Sequence, residues 1–168
     1  MEKILTSACL LGEPVRYDGK SLKSQDALLD KWMTQNRLVA FCPEVAGGLS
    51  TPRDAAEIIT SDLSQDDTGG SLVLSGSAQV KTQLNLDVSA EFIEGAKLAL
   101  KKCRQQRIRF ALLSARSPSC GNEKIYDGTF NGKLINGQGV TAALLSENGI
   151  QVFNQFQLAE LADALTSS

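Results

Sequence analysis

Apolar positions along this chain follow two rhythms, short unbroken runs and longer stretches in which an apolar residue returns every three or four places. "KILTSACLL" reads as a short buried strand entering the loop "GEPVRYDGK", and "LVAFC" is a second such run, stopped by Pro43. Between them, residues 24–36 carry Leu28, Leu29 and Trp32 at helical spacing. The clearest helix is "DVSAEFIEGAKLALKKCRQQR". Phe92, Ala96, Ala99, Leu100 and Cys103 share one face, with acids early (Glu91, Glu94) and bases late (Lys101, Lys102, Arg104), as the helix dipole favours. The strand "IRFALLSA", the glycine-rich loop "RSPSCGNEKIYDGTFNGKLINGQG", a helix over "VTAALLSENG", the strand "IQVFN" and a last helix "FQLAELADAL" follow. "LSQDDTGGSLVLSGSAQVKTQLNLD", rich in Gly, Ser and Asp around the apolar "LVL", predicts a hairpin or excursion. Strands alternating with helices predict an α/β fold: a single domain over residues 1–168 with a mostly parallel, Rossmann-like sheet flanked by helices on both faces, plus a β-hairpin excursion.

Composition narrows the function. With 17 basic against 19 acidic side chains the net charge is only −2, so neither nucleic acid nor a membrane surface is an expected partner. No apolar run approaches the roughly 20 residues of a membrane span, and the start of the chain lacks the pattern of a signal peptide. A cytoplasmic protein is expected, as a monomer or weak homodimer. In a reducing compartment its four cysteines are expected to be ligands, nucleophiles or core residues rather than disulfides. Histidine is absent, which removes Ser-His-Asp triads, Cys-His dyads and His-containing zinc sites together.

The predicted strands give the cysteines positions. Cys9 and Cys42 fall at the ends of the first two strands, and Cys120 falls in the loop after the strand that follows the long helix. Loops at the carboxyl ends of parallel strands gather on one edge of a sheet, so these distant thiols are expected to converge. Cys103, on the apolar helix face, is expected in the core. Thiolates without histidine suit zinc or an iron-sulfur cluster, and three of them leave one iron of a cubane open. Glu44, just beyond Pro43, reads either as a solvated carboxylate or as an acid/base beside the metal. The stretch "FCPEVAGGLSTPRDAAEI" reads as a stiff loop rather than a helix. Within it, Gly47 and Gly48 permit a tight turn or a close approach to a ligand, and Arg53 can anchor the loop through Asp54 or Glu57. In "RSPSCG", Ser117 and Ser119 either cap the turn around Pro118 or offer a hydroxyl to a substrate. Tyr17 and Tyr126 stand in two Tyr-Asp-Gly turn signals, the second resembling a hairpin.

Taken in order, "SACLLG", "RYDG", "FCPEVAGGLSTPRDAAEI", "FIEGAK", "SPSCG", "IYDGTF" and "GQGVTAALL" resemble a bacterial family, once a domain of unknown function, that includes the thiouracil desulfidases; this chain resembles its short, single-domain form. One departure is Ser50, where many relatives carry another residue. The resemblance implies a 4Fe-4S cluster held by Cys9, Cys42 and Cys120, a catalytic glutamate at Glu44 and an active-site serine at Ser117. It implies a thiolated pyrimidine as the small-molecule substrate. The expected reaction is hydrolytic and non-redox: thiouracil and water give uracil and sulfide, with the substrate sulfur on the open iron and Glu44 moving protons. A zinc hydrolase with three thiolates and a non-enzymatic iron-sulfur sensor or sulfur-handling module stand as alternatives.

Overall fold

The computed structural model of the chain describes residues 1–60 and 69–168. β1 (Ile4–Ser7) runs into a 3-10 turn at Ala8–Leu11, and α1 (Ala27–Thr34) begins where the Asp26 side chain accepts the Leu28 N–H at 2.8 Å. β2 (Leu38–Phe41), α2 (Pro43–Ala46), β3 (Ala56–Ile59), α3 (Gly70–Ser75) and β4 (Gln79–Thr82) follow. Then come α4 (Ser89–Gln106), β5 (Phe110–Leu112), β6 (Lys124–Tyr126), β7 (Leu134–Asn136), α5 (Val140–Glu147), β8 (Gln151–Phe153) and α6 (Leu158–Thr166).

Four strands form one parallel sheet in the order β2-β1-β5-β8. Its strands alternate between two cores. Ile4, Phe110 and Leu112 join Trp32 of α1 and Leu161 of α6 on one face; Leu5, Ala111 and Leu113 join Ala99 and Cys103 of α4 and Leu145 of α5 on the other. A strand buried on both faces needs apolar residues on both sides of its pleat, as "FAL" has, and "ILTS" is likewise buried throughout although it ends in two hydroxyl residues. The expected α/β architecture is therefore present, with helices on both faces.

α4 spans two layers. Its carboxyl half packs on the parallel sheet, while Phe92 and Ala96 in its amino half pack under a third core with Ile58, Val73 and Val80. That third core carries two antiparallel pairs, β3-β4 and β6-β7. The predicted hairpin around "IYDGTFNG" is the second pair, turned where Asp127 accepts the Thr129 N–H at 3.0 Å. Two expectations are corrected. "LVL" lies on helix α3, because a short apolar run has no period by which to tell helix from strand. The first residues of that excursion, 63–68, lie outside the described residues, and its later part carries β4, paired antiparallel with β3. The segment after Cys42 is a helical turn, not a stiff loop: Cys42 is its N-cap and Pro43 its first residue, where a missing N–H and a fixed φ are no obstacle. Among the described residues, no helix is long and apolar enough to cross a membrane.

Candidate functional site

The order β2-β1-β5-β8 makes the chain leave β1 in both directions, and the carboxyl ends of the two central strands part to leave a crevice. A cavity of about 480 Å³ opens there. Each strand of the parallel sheet contributes to its wall: Cys9 after β1, Cys42 after β2, Ser114 after β5 and Gln155 after β8. Cys120, Glu44 and Ser117 line the same cavity, so the structure brings together the residues singled out in the sequence. Cys103 does not take part; it is buried in the core between α4 and the sheet, and burial pushes its thiol up to about 11.

Small hydroxyls support the three lining thiols. The Ser7 hydroxyl lies 3.7 Å from the Cys120 sulfur and accepts the Ser114 N–H at 2.9 Å, while the Ser114 side chain bonds to Cys9. Cys42 faces the Val15 carbonyl at 4.0 Å. Burial raises the pKa of each: for Cys9 the Ser114 bond offsets part of this, and for Cys42 the amides of Val45 and Glu44 do. Cys120 is raised furthest, by burial and then by the nearby Glu44 carboxylate. Among the described residues, no three Cys, Asp or Glu side chains are grouped closely enough to share one metal ion. The three thiols reach one cavity from separate strand ends and loops, a set of soft donors that suits a thiophilic metal centre.

α2 aims Glu44 into this cavity. The side chain is half-buried, and partial burial raises its pKa although Arg53 and Arg16 pull the other way. Arg53 Nε stands 3.5 Å from Glu44 Oε1, whereas Nη1 donates to the Ser50 carbonyl and the Thr51 hydroxyl and Nη2 to the Val15 carbonyl. The expected pairing of Arg53 with Asp54 or Glu57 is thus corrected: the arginine turns back to Glu44 and ties residues 15, 50 and 51 around it. Glu57 instead lines the cavity, its Oε1 accepting the N–H groups of Gly128 at 2.9 Å and Phe130 at 3.2 Å.

Two glycines seat α2 on α4. A Cβ on Gly95 would fall on the Pro43 carbonyl oxygen, and one on Gly47 would fall on the Glu91 carbonyl oxygen. The close approach of Gly47 is therefore to backbone and not to a ligand, while Gly48, at φ +106°, makes the turn. Gly95→Ala is expected to lower stability by about 1–3 kcal/mol through overpacking, read as a drop in Tm. A Tm equal to wild type would refute this close seat.

Ser117 is a cap as well as a wall residue. Its hydroxyl oxygen accepts the N–H groups of Ser119 at 3.1 Å and Cys120 at 3.0 Å, fixing the turn that carries the third thiol. Its own proton remains to donate. Ser119 is fully buried and shares a hydrogen bond of 2.8 Å with Thr141, which removes it from the site. Tyr17 and Tyr126 both line the cavity. At its rim the Arg16 guanidinium lies over the Tyr17 ring at 5.9 Å and that of Arg116 over Phe156 at 6.0 Å. Sequence reasoning missed Ser7, Ser114, Glu57, Arg116 and Phe156. The one available signal was their position, at or just beyond strand ends or on a strand whose neighbours are apolar.

Comparison with known proteins gives three results. Residues 4–157 match the family model described as 2-thiouracil desulfurase. The chain is 39% identical over 158 residues to an uncharacterized protein, YbbK, of Bacillus subtilis (strain 168), covering 94% of this chain and 99% of that one. It is also similar to a solved structure described as the 4Fe-4S-dependent thiouracil desulfidase TudS, with 50% identity, a TM-score of 0.87 and full coverage of both chains.

Proposed function

The chain belongs to the 2-thiouracil desulfurase family, and from that premise we propose that it is a 4Fe-4S-dependent thiouracil desulfidase, one catalytic domain over residues 1–168 that converts a thiolated pyrimidine and water into the pyrimidine and sulfide. The observation that carries the proposal is the meeting of Cys9, Cys42, Cys120 and Glu44 on one 480 Å³ cavity, in a chain half identical to a solved thiouracil desulfidase. The donor set fits the group: thiol sulfur in a largely apolar crevice, supplied from separate strand ends, with the cavity left open on one side. Cys9, Cys42 and Cys120 would hold it. When bound, the cluster supplies a Lewis-acidic iron with an affinity for soft thiocarbonyl sulfur, which makes the thiocarbonyl carbon electrophilic.

The remaining steps fall to side chains of the protein. Glu44 stands in the wall beside the thiols, held by Arg53, and is the group in position to take a proton from an attacking water and return one to the departing sulfur. Ser117, with its oxygen occupied by two backbone N–H groups, presents its hydroxyl proton to the ring of the substrate. Tyr17, Tyr126 and Phe156 offer flat apolar surface to a heterocycle. The balance is simple: the C=S carbon gains the oxygen of water, sulfur leaves with both protons, and no electrons are gained or lost.

The test is anaerobic reconstitution with iron and sulfide, removal of excess reagent, and incubation with 2-thiouracil. Sulfide and uracil are expected in equal amounts, with no external reductant. A reconstituted brown protein that releases neither would support the sensor reading instead.

A further inference from the structure

Glu57 lines the cavity with one of its two carboxylate oxygens, Oε1, bound by backbone. It lies on β3 between Ala56 and Ile58; alternation along the strand sends Ile58 into the third core and Glu57 to the opposite side, onto the wall of the cavity. The residue is 9% exposed. Its Oε1 is fixed by two backbone donors, Gly128 and Phe130, from the turn of the β6-β7 hairpin, and Phe130 adopts φ +58° there. Oε2 has no hydrogen-bond partner among the described residues. A carboxylate on a cavity wall, oriented by two backbone donors to one oxygen, is a built acceptor whose other oxygen a ligand N–H can use.

We propose that Glu57 is a specificity-determining residue that accepts a hydrogen bond from the ring N3–H of the pyrimidine, an inference that rests on the desulfidase reading of the same cavity. A carboxylate only accepts, so it selects for a donor. N3–H is the ring donor that flanks both carbon 2 and carbon 4, so a thione at either position presents it beside the reacting carbon. The hairpin contributes too: its two N–H groups hold Glu57 in place, and Tyr126 from β6 stands on the same wall. Sites built to bond a ligand donor reject analogues that lack it, because the buried acceptor is then left unpaired.

The test compares uracil, 1-methyluracil and 3-methyluracil by calorimetry on the cluster-loaded protein, together with sulfide release from 2-thiouracil and its 3-methyl derivative. Wild type should bind 3-methyluracil about 10- to 100-fold more weakly than uracil, and 1-methyluracil much as it binds uracil. Glu57→Gln keeps an oxygen for Gly128 and Phe130 and turns an NH₂ toward the ring. It should weaken uracil by a similar factor and remove most of the discrimination against the 3-methyl compound. The same pattern should appear in KM for sulfide release. Equal losses for uracil and 3-methyluracil in Glu57→Gln, or wild-type discrimination falling on the 1-methyl compound, would overturn the assignment. Wild type alone decides the N3 part, since that comparison needs no variant. Failure of the loaded enzyme to release sulfide would overturn the desulfidase reading, while uracil binding would still judge Glu57.

Discussion

Glu44→Gln is expected to lower the rate of sulfide release by 10²- to 10⁴-fold while leaving the cluster in place. That is the usual contribution of one general acid/base, about 3 to 5 kcal/mol of barrier. Glutamine matches the shape of the side chain on α2, so Cys42 and the seat of Pro43 on Gly95 should persist. Arg53 would lose its ion pair but keep three acceptors, Ser50 O, Thr51 Oγ1 and Val15 O, so its guanidinium is not stranded. The measurement is anaerobic turnover of 2-thiouracil, with iron content and visible absorption recorded on the same sample. Turnover at the wild-type rate by a fully loaded variant would remove Glu44 from the chemistry.

The second large effect concerns the thiols. Cys9→Ala, Cys42→Ala and Cys120→Ala should each fail to retain iron after reconstitution, whereas Cys103→Ala should bind as much as wild type. The reason is position: the first three stand on the cavity, and the fourth is enclosed by Ala99, Leu100 and Ala142 in the core. Cys103→Ala should show a different phenotype, a loss on the order of 1 kcal/mol of stability from the small void it leaves. In native alkylation Cys103 of the intact protein should resist modification, because its thiol is buried and its pKa is raised to about 11. Equal iron loss in all four variants would defeat the three-ligand assignment.

The fold was legible where pattern was long or burial two-sided. Phe92 through Cys103 gave α4 because a dozen residues of helical period leave little choice, and the parallel strands followed from short, mainly apolar runs. Convergence of Cys9, Cys42 and Cys120 followed from the rule that strand ends share an edge. What was misread depended on contacts distant in sequence. Pro43 looked like a breaker, since the backbone of Gly95 that receives it lies on another helix. Arg53 seemed to have partners among its sequence neighbours, yet its chain folds back so that Glu44 is the nearer carboxylate. Ser7 and Ser114 carry no signal of their own, as a serine at a strand end looks the same whether or not a thiol sits beside it. Glu57 read as a loop partner for Arg53, and only the hairpin that binds its Oε1 reveals where the carboxylate is held.

The two walls of the cavity have separate parentage. The thiols come from the parallel sheet and its outgoing loops, whereas Glu57 and Tyr126 come from antiparallel pairs resting on the outer half of α4. Under the proposed role of Glu57, substitutions at the tip of the β6-β7 hairpin would alter ring recognition through Gly128 and Phe130, at a distance from the strand ends that carry Cys9 and Cys42.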